Sequence, residues 1–328
     1  MNRSRSLRHP RLFAAACVVL AAVAVLAIPA GLAFAQGAPS PAYVVVQTGQ
    51  GFARLQDAVN AIGNGTATIR VATGTHRDCA VQTAGSIEYV AQIPGDSIFE
   101  GTICEGKAAL VLRGRSATVT GLVFAGMRVP EGNGAGIRLE HGDLAIGQSW
   151  FRDSEEGILT ADDPASAILI DKSTFTRLGR CDRDLACAHS IYVGDYGALT
   201  IRRSRFEQGR GGHYVKSRAP RIDLRDSSFD DSRGSATNYM VDLPAGAGGA
   251  IVGNWFVQGR DKENYSAFIA IAAEGHRHSA NGLEIAGNDA RLAPDVGRTT
   301  AFVADWSGDN LAIGENRLGL GLKRFERR

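Results

Sequence analysis

Polar and charged side chains in the middle of the sequence alternate with branched apolar residues. The apolar positions are Ile191, Val193, Val215, Val241, Ile269 and Ile271. Successive side chains of a β-strand point to opposite faces, so the polar residues between these positions are predicted to point outward from a core. The residues predicted to point outward are Tyr192, Tyr214, Lys216, Arg218, Asn238, Asp242 and Glu274. His189 and His213 stand where two of these strands begin.

This set of side chains is suited to proton transfer beside a sugar carboxylate. β-Elimination on a uronic-acid polymer needs a cation that neutralises the carboxylate, a base near the adjacent C–H, and a donor for the leaving oxygen. A lysine or histidine whose pKa is lowered by neighbouring cations can be the base, and a tyrosine can be base or donor. We therefore assign Lys216 as the base, Arg218 as the neutralising cation, and Tyr192, Tyr214 or His213 as the donor.

Substrate binding is assigned to the other polar residues of the row, His189, Asn238, Asp242 and Glu274. No metal ligands are assigned and no cofactor is expected. Calcium prefers several oxygen ligands, and Asp195, Asp242 and Glu274 could supply them, but the sequence has no continuous calcium-loop motif.

Each assignment has a structural alternative. His189 and His213 can satisfy backbone groups at the beginnings of strands, and Lys216 and Arg218 can be solvated surface charges. Tyr239 is predicted to lie in the core.

An acidic pair precedes a proline at residues 162–164. Asp162 and Asp163 could be the two carboxylates of an inverting glycoside hydrolase. Asp-Pro sequences favour turns, so a turn is the preferred interpretation.

An internal repeat predicts the elements that position these residues. A short alternating strand, then Ser or Asn, then an apolar residue recurs along residues 144–316, and its phenylalanines are 24, 31, 23 and 27 residues apart. Repeats of this length with unequal insertions are typical of a solenoid. One Ser or Asn per repeat is predicted to form a ladder at a tight corner: Ser149, Ser173, Ser204, Ser227, Asn254, Asn288 and Asn316.

The repeat favours one fold class. The repeat region has no long amphipathic helix, which disfavours βαβ folds, and a β-propeller would need a longer repeat with four strands. The sequence therefore predicts an all-β chain folded as a single-stranded right-handed parallel β-helix. Apolar residues at helical spacing within residues 52–62 predict an α-helix that caps its N-terminal end.

Two segments resemble known protein families, one in fold and one in its catalytic residues. The capping helix, the strand at residues 67–71 and the phrase at 72–75 resemble the beginning of the pectate-lyase-like β-helix superfamily. Val215-Lys216-Ser217, followed by residues 222–229 and a turn, resembles the central segment of β-helical alginate and chondroitin lyases. The resemblance implies that Lys216 is the catalytic base and that the next coil supplies an arginine. The next coil, residues 238–242, has no arginine, so Arg218 would take that role.

The N-terminal residues have the features of an export signal. Four arginines precede an apolar run, and Ala33-Phe34-Ala35 forms a cleavage site before Gln36. An uncleaved anchor is the alternative. Cys17 precedes most of the apolar run instead of following it, which disfavours lipidation. We predict a signal peptide at residues 1–35, an N-terminal strand and capping helix at 36–66, and the β-helix at 67–328, in a periplasmic or secreted protein without stable membrane insertion.

Net charge bears on the kind of partner, and the cysteine content bears on disulfide formation. Removing residues 1–35 takes away four arginines and no acidic residue, so the net charge changes from +2 to −2. A near-neutral chain disfavours nucleic acid as a partner. Four cysteines remain, and in an exported chain they favour disulfides; of the three possible pairings we prefer Cys79–Cys104 with Cys181–Cys187.

The leading functional hypothesis is an exported lyase acting on an acidic polysaccharide. A C5-epimerase shares the proton abstraction, so it stays open. A non-catalytic glycan-binding or surface-structure protein would use the same face, and a glycoside hydrolase would rely on Asp162, Asp163 or Asp242. The sequence makes no prediction of the oligomeric state.

Overall fold

A computed structural model describes residues 40–328 of the chain. The predicted signal peptide and its cleavage site lie outside the described residues. Within residues 40–328, no helix has the length and apolar character needed to cross a membrane.

The described chain winds through coils that each contribute one short strand to each of three sheets. Sheet A has 12 strands, and sheets B and C have 10 strands each. Neighbouring strands within a sheet come from successive coils and are parallel, except that Tyr43–Val45 pairs antiparallel with Gln50–Phe52 and Thr66–Val71. This arrangement confirms the predicted parallel β-helix.

The three sheets have the following strands, in chain order. Sheet A contains Tyr43–Val45, Gln50–Phe52, Thr66–Val71, Ser86–Ala91, Ser116–Thr120, Asp143–Gly147, Asp163–Asp171, Tyr196–Arg202, Arg221–Arg225, Gly248–Val252, Glu284–Ala286 and Ala312–Ile313. Sheet B contains Gly74–His76, Ser97–Glu100, Leu122–Ala125, Trp150–Arg152, Thr174–Thr176, Arg205–Glu207, Ser228–Asp230, Trp255–Gln258, Asp289–Leu292 and Arg317–Leu318. Sheet C contains Ala80–Gln82, Ala108–Leu112, Ala135–Leu139, Glu156–Thr160, Ile191–Val193, Val215–Ser217, Val241–Leu243, Ala267–Ile271, Thr300–Asp305 and Leu322–Arg327.

The predicted Ser/Asn ladder forms the corner between sheets A and B. From Ser149 to Asn288, the backbone N–H of each ladder residue donates to the side-chain oxygen of the equivalent residue in the next coil, at 2.9–3.3 Å. From Ser149 to Asn288, the residue before each ladder position takes a left-handed conformation, as at Arg203 with φ of 48°. The ladder therefore satisfies backbone donors at a corner that β-sheet bonding cannot reach.

The phenylalanines of sheet B form a continuous stack inside the solenoid. Seven rings, from Phe99 to Phe256, follow one another in successive coils with centroids 4.7–5.6 Å apart and planes within 17° of parallel. Each ring is buried and packs against the rings before and after it, so the repeat spacing seen in the sequence is the spacing of the coils.

The one helix of the described chain, Leu55–Ile62, covers the N-terminal end of the core. Leu55, Ala58 and Val59 are buried, as the helical spacing predicts. The helix begins three residues later than predicted because Phe52 belongs to a strand that pairs with Tyr43–Val45. The Asp78 carboxylate accepts a hydrogen bond from the Leu55 N–H at 2.7 Å and so satisfies a free donor at the helix N-terminus.

Both predicted disulfides are present. Cys79–Cys104 joins the segments that lead into two adjacent sheet C strands, Ala80–Gln82 and Ala108–Leu112. Cys181–Cys187 closes a loop whose ends are also paired by a bridge between Arg180 and Ala188.

Candidate functional site

The outer face of sheet C carries one line of side chains in register across successive coils. Leu159 pairs with Tyr192, Tyr192 with Lys216, and Lys216 with Asp242. Lys216 is 8% exposed and Asp242 is 2% exposed, although both point away from the solenoid core. Charged groups on an outer face are usually solvated. Their burial here therefore makes this part of sheet C a candidate functional site.

Beside this line lies a second row of rings, formed by His189, His213 and Tyr239. The centroids of His189 and His213 are 5.0 Å apart, and those of His213 and Tyr239 are 5.6 Å apart. Tyr239 is buried as predicted, at 8% exposure, but it packs with alanines of sheet C in a small cluster separate from the main core. Its hydroxyl accepts a hydrogen bond from the Asn264 amide at 2.9 Å.

The two histidines are held neutral. The His213 backbone N–H donates to His189 Nδ1 at 3.0 Å, so the His189 proton resides on Nε2. Burial and the nearby Lys216 lower the pKa of His189 to about 3. Burial and the adjacent His189 bring the pKa of His213 well below its usual value. At neutral pH the site therefore contains two uncharged imidazoles.

A chain of ion pairs extends from the buried row toward solvent. Lys216 Nζ lies 3.0 Å from Asp242 Oδ2 and also contacts the carboxylate of Glu274. Arg218 contacts the other Glu274 oxygen, and its Nε donates to the Tyr192 hydroxyl at 2.9 Å. These five side chains form one connected network, and the sequence predicted all five to point outward. Arg218 and Glu274 lie just beyond the ends of the strands Val215–Ser217 and Ala267–Ile271.

The network sets the charge of its members. Burial raises the pKa of Asp242 to about 6, against the effect of Lys216. Burial acts to lower the pKa of Lys216, but Asp242 and Glu274 together outweigh it and the net direction is upward. Burial likewise acts to raise the pKa of Glu274, and the contacts with Lys216 and Arg218 reverse that direction. A lysine kept protonated is a poor base, so these surroundings favour charge stabilisation over the predicted base role for Lys216.

Glu156 belongs to the site and was missed by sequence reasoning. It is 3% exposed, burial raises its pKa well above the usual value, and Oε2 has no hydrogen-bond partner among residues 40–328. Alternation from the buried Ile158 would place Glu156 inside. The chain is irregular at Gly157, where an added Cβ would meet the core residue Phe175, and this turns Glu156 to the outer face.

These side chains line an open cleft of about 450 Å³. Ala186 and Cys187, from the disulfide-closed loop, form part of one wall, and Glu131 and Asn133 come from a second loop. Arg180 joins the two loops, because its guanidinium donates to the carbonyls of Gly132 and Ala186. The disulfide therefore helps to fix the wall of the cleft.

Most of the predicted site residues meet at this cleft. Five of them line it directly: His189, Tyr192, His213, Lys216 and Asn238. Arg218, Asp242 and Glu274 adjoin it through the ion-pair network. Asn238 also contacts the carboxylate of Glu263 at the far end of the cleft.

Tyr214 does not reach the cleft, which corrects its predicted outward orientation. It is 1% exposed within the hydrophobic core, and its hydroxyl donates to Asp231 at 2.8 Å. The strand begins only at Val215, so the alternation that places Lys216 outside does not extend back to Tyr214. Asp231 also pairs with Lys262, whose side chain is fully buried, at 3.0 Å, and the Lys262 ammonium donates to the backbone carbonyl of the cleft residue Asn238.

The acidic residues considered for hydrolysis or calcium binding have other partners. Asp163 accepts hydrogen bonds from the Gly142 N–H and the Ser166 hydroxyl, and Asp162 accepts one from the Asp195 N–H. Asp195 itself pairs with Arg277 at 2.7 Å. In residues 40–328, no group of three or more His, Cys, Asp or Glu side chains is placed to hold a metal ion.

Comparison with known proteins adds little to this description. No protein-family model matches the chain. No curated protein matches it either. Among solved structures it is similar to ORF18 of Geobacillus virus E2, with 13% sequence identity and a TM-score of 0.47. The match covers 83% of this chain and 56% of that one, so the chain spans a little over half of its length. The resemblance to the pectate-lyase-like superfamily stays a prediction.

Proposed function

We propose that the chain is an exported protein that cleaves an acidic polysaccharide by β-elimination. The observation that supports this proposal is the hydrogen bond from Arg218 to the Tyr192 hydroxyl, in a cleft that also holds neutral histidines and a buried carboxylic acid. Two disulfides in the described chain are consistent with export to an oxidising compartment.

Tyr192 is the base in this proposal, in place of Lys216. The guanidinium of Arg218 donates to the Tyr192 hydroxyl at 2.9 Å and so fixes the phenol oxygen at the cleft, where a tyrosine that has given up its own proton can act as a base. The Tyr192 oxygen would take the proton at C5 of the uronic-acid sugar. The electrons of that C–H bond would form the C4–C5 double bond as the C4–O bond breaks, while Lys216 and Arg218 stabilise the negative charge on the carboxylate.

Glu156 is the proton donor for the leaving oxygen. Burial raises its pKa well above the usual value and so favours the protonated carboxyl, its Oε2 is buried without a hydrogen-bond partner in residues 40–328, and Glu156 lines the same cleft as Tyr192. A buried carboxylic acid that stays protonated is suited to protonate a leaving group. Since the Nδ1 of His189 already accepts the His213 N–H, its Nε2–H, which has no hydrogen bond to another residue of 40–328, would bind a sugar oxygen.

The test is to incubate residues 36–328 with a panel of acidic polysaccharides and to follow the ultraviolet absorbance of the new double bond. We expect a rise with at least one polymer. Tyr192→Phe is expected to slow the reaction by about 10²–10⁴-fold, the usual contribution of a positioned base. Tyr265→Phe is the matched control, because Tyr265 is 49% exposed and does not line the cleft.

Other outcomes would replace the proposal. New reducing ends without absorbance would indicate a hydrolase, and exchange of the C5 proton with solvent without cleavage would indicate an epimerase. Retention on an immobilised acidic polymer without any reaction would indicate a glycan-binding protein. Full activity in Tyr192→Phe would remove Tyr192 from the role of base.

A further inference from the structure

The carboxylate of Glu274 lies between the two cations of the site. One of its oxygens contacts Lys216 and the other contacts Arg218. The Glu274 side chain is 44% exposed, whereas that of Lys216 is 10% exposed. The glutamate therefore covers the cations from the solvent side.

Both cations have a second partner that does not depend on Glu274. Lys216 Nζ is 3.0 Å from Asp242, which is buried, and Arg218 Nε donates to Tyr192 at 2.9 Å. These contacts hold the ammonium and the guanidinium in place. The contacts with Glu274 can consequently be exchanged for others without repositioning either cation.

The charges of the group leave room for one carboxylate. Lys216 and Arg218 supply two positive charges and Asp242 supplies one negative charge, so the group has a net charge of +1 without Glu274. A carboxylate on a bound sugar carries the charge that Glu274 now provides, and it offers the same pair of acceptor oxygens to the same donors.

The backbone around Glu274 gives the side chain room to leave. Glu274 lies in the turn after the strand Ala267–Ile271, between Ala272 at φ of 58° and Gly275 at φ of 140°. A Cβ added at Gly275 would meet no atom within 4 Å, so the turn faces open space on that side. Glu274 itself is 44% exposed, and the buried Lys216 keeps Asp242 as a partner when the glutamate leaves, so no buried charge is left unpaired.

We infer that Lys216 and Arg218 form a subsite for the carboxylate of a uronic-acid sugar, and that Glu274 occupies this subsite until the sugar displaces it. The inference rests on the proposed function for the identity of the ligand as a sugar acid. Binding and cleavage are nevertheless separable, because the subsite is tested with a monosaccharide that has no bond to cleave.

The experiment is a calorimetric titration of residues 36–328 with sodium D-glucuronate. Glu274→Gln keeps the shape of the side chain and removes its charge, and we expect it to bind glucuronate about tenfold more tightly than the wild-type chain. A tenfold gain corresponds to a subsite that is free about a tenth of the time when Glu274 is present. Glu284→Gln, an exposed position on sheet A, is the matched control and should bind like the wild-type chain.

Two further measurements make the result specific. Arg218→Ala in the Glu274→Gln background should abolish the gain, and D-glucose should bind none of the variants more tightly. Circular dichroism and thermal melting verify that each variant folds. Equal or absent glucuronate binding in folded Glu274→Gln and wild-type chains would overturn the inference, as would an equal gain for glucose. A gain for glucuronate without cleavage of any polymer would uphold the subsite and remove only the lyase.

Discussion

Successive coils place the same side chain inside sheet B but a different one at each step on the outer face of sheet C. The inner series is Phe151, Phe175, Phe206 and Phe229. In the same coils the outer series is Leu159, Tyr192, Lys216 and Asp242. Inside, each ring packs on its equivalents, so similarity between coils is itself stabilising. On the outer face of sheet C, side chains of successive coils do not need to be alike. The positions that differ between coils there are the ones that place buried charged groups at the cleft.

The largest expected effect tests the inner series. Phe206 stacks on Phe175 and Phe229 with centroids 4.8 and 4.7 Å away. Phe206→Ala should lower the free energy of unfolding by about 3–5 kcal/mol, because it leaves a cavity between two rings. Denaturant unfolding measures the change. Leu169→Ala, at a side chain that is 43% exposed on sheet A, is the control and should change it by less than about 0.5 kcal/mol. Equal losses in the two variants would contradict the role given to the stack.

The next effect tests the outer series through pH. The pKa of Asp242 is raised from 3.8 to about 6, so the folded chain binds more protons than the unfolded chain between these values. The stability contributed by Asp242 is full below pH 3.8 and is lost as the pH rises through 6. Its size is up to about 3 kcal/mol, at 1.36 kcal/mol per pKa unit.

Asp242→Asn should remove this part of the pH dependence. Between pH 4 and pH 7, we expect the free energy of unfolding of the wild type to fall relative to that of the variant. Denaturant unfolding at each pH measures the difference. Asp223→Asn is the control, because Arg202 and Arg225 lower the pKa of Asp223 despite its partial burial, and its contribution changes with the opposite sign. If the unfolding free energies of wild type and Asp242→Asn change in parallel with pH, burial does not raise the pKa of Asp242.

The smallest effect concerns the corner ladder. Ser204 Oγ accepts the Ser173 N–H at 3.2 Å, and Ser204→Ala would leave this buried donor without a partner. We expect a loss of about 1–2 kcal/mol in unfolding free energy. Ser204→Asn should recover much of it, since Asn254, Asn288 and Asn316 fill the same position in later coils. Thr200→Ala, in the same coil but outside the ladder, should have little effect. If Ser204→Asn recovers none of the lost stability, serine and asparagine are not interchangeable at this ladder position.

The parts of the molecule that repeat were predictable from the sequence, and those that depart from the repeat were predictable only in part. The ladder and the alternation around Lys216 follow from local periodicity, which the strands obey. Tyr214 and Glu156 escaped because a strand boundary and an irregular glycine change the alternation by one position. The burial of Asp242 escaped for a different reason, since burial depends on neighbouring coils and on loops that have no counterpart in the repeat.

The ladder also bears on how such a chain can change in length over evolution. At the corner, each ladder residue bonds only to residues of the coils before and after it, so duplication or deletion of one complete coil preserves the pattern of ladder contacts. Gain of a single residue within a strand instead reverses the faces of the residues that follow. A duplication between Glu156 and Glu274 would separate side chains that must meet. We expect lineages of this protein to vary in coil number on either side of that segment and to inherit the segment itself as one block.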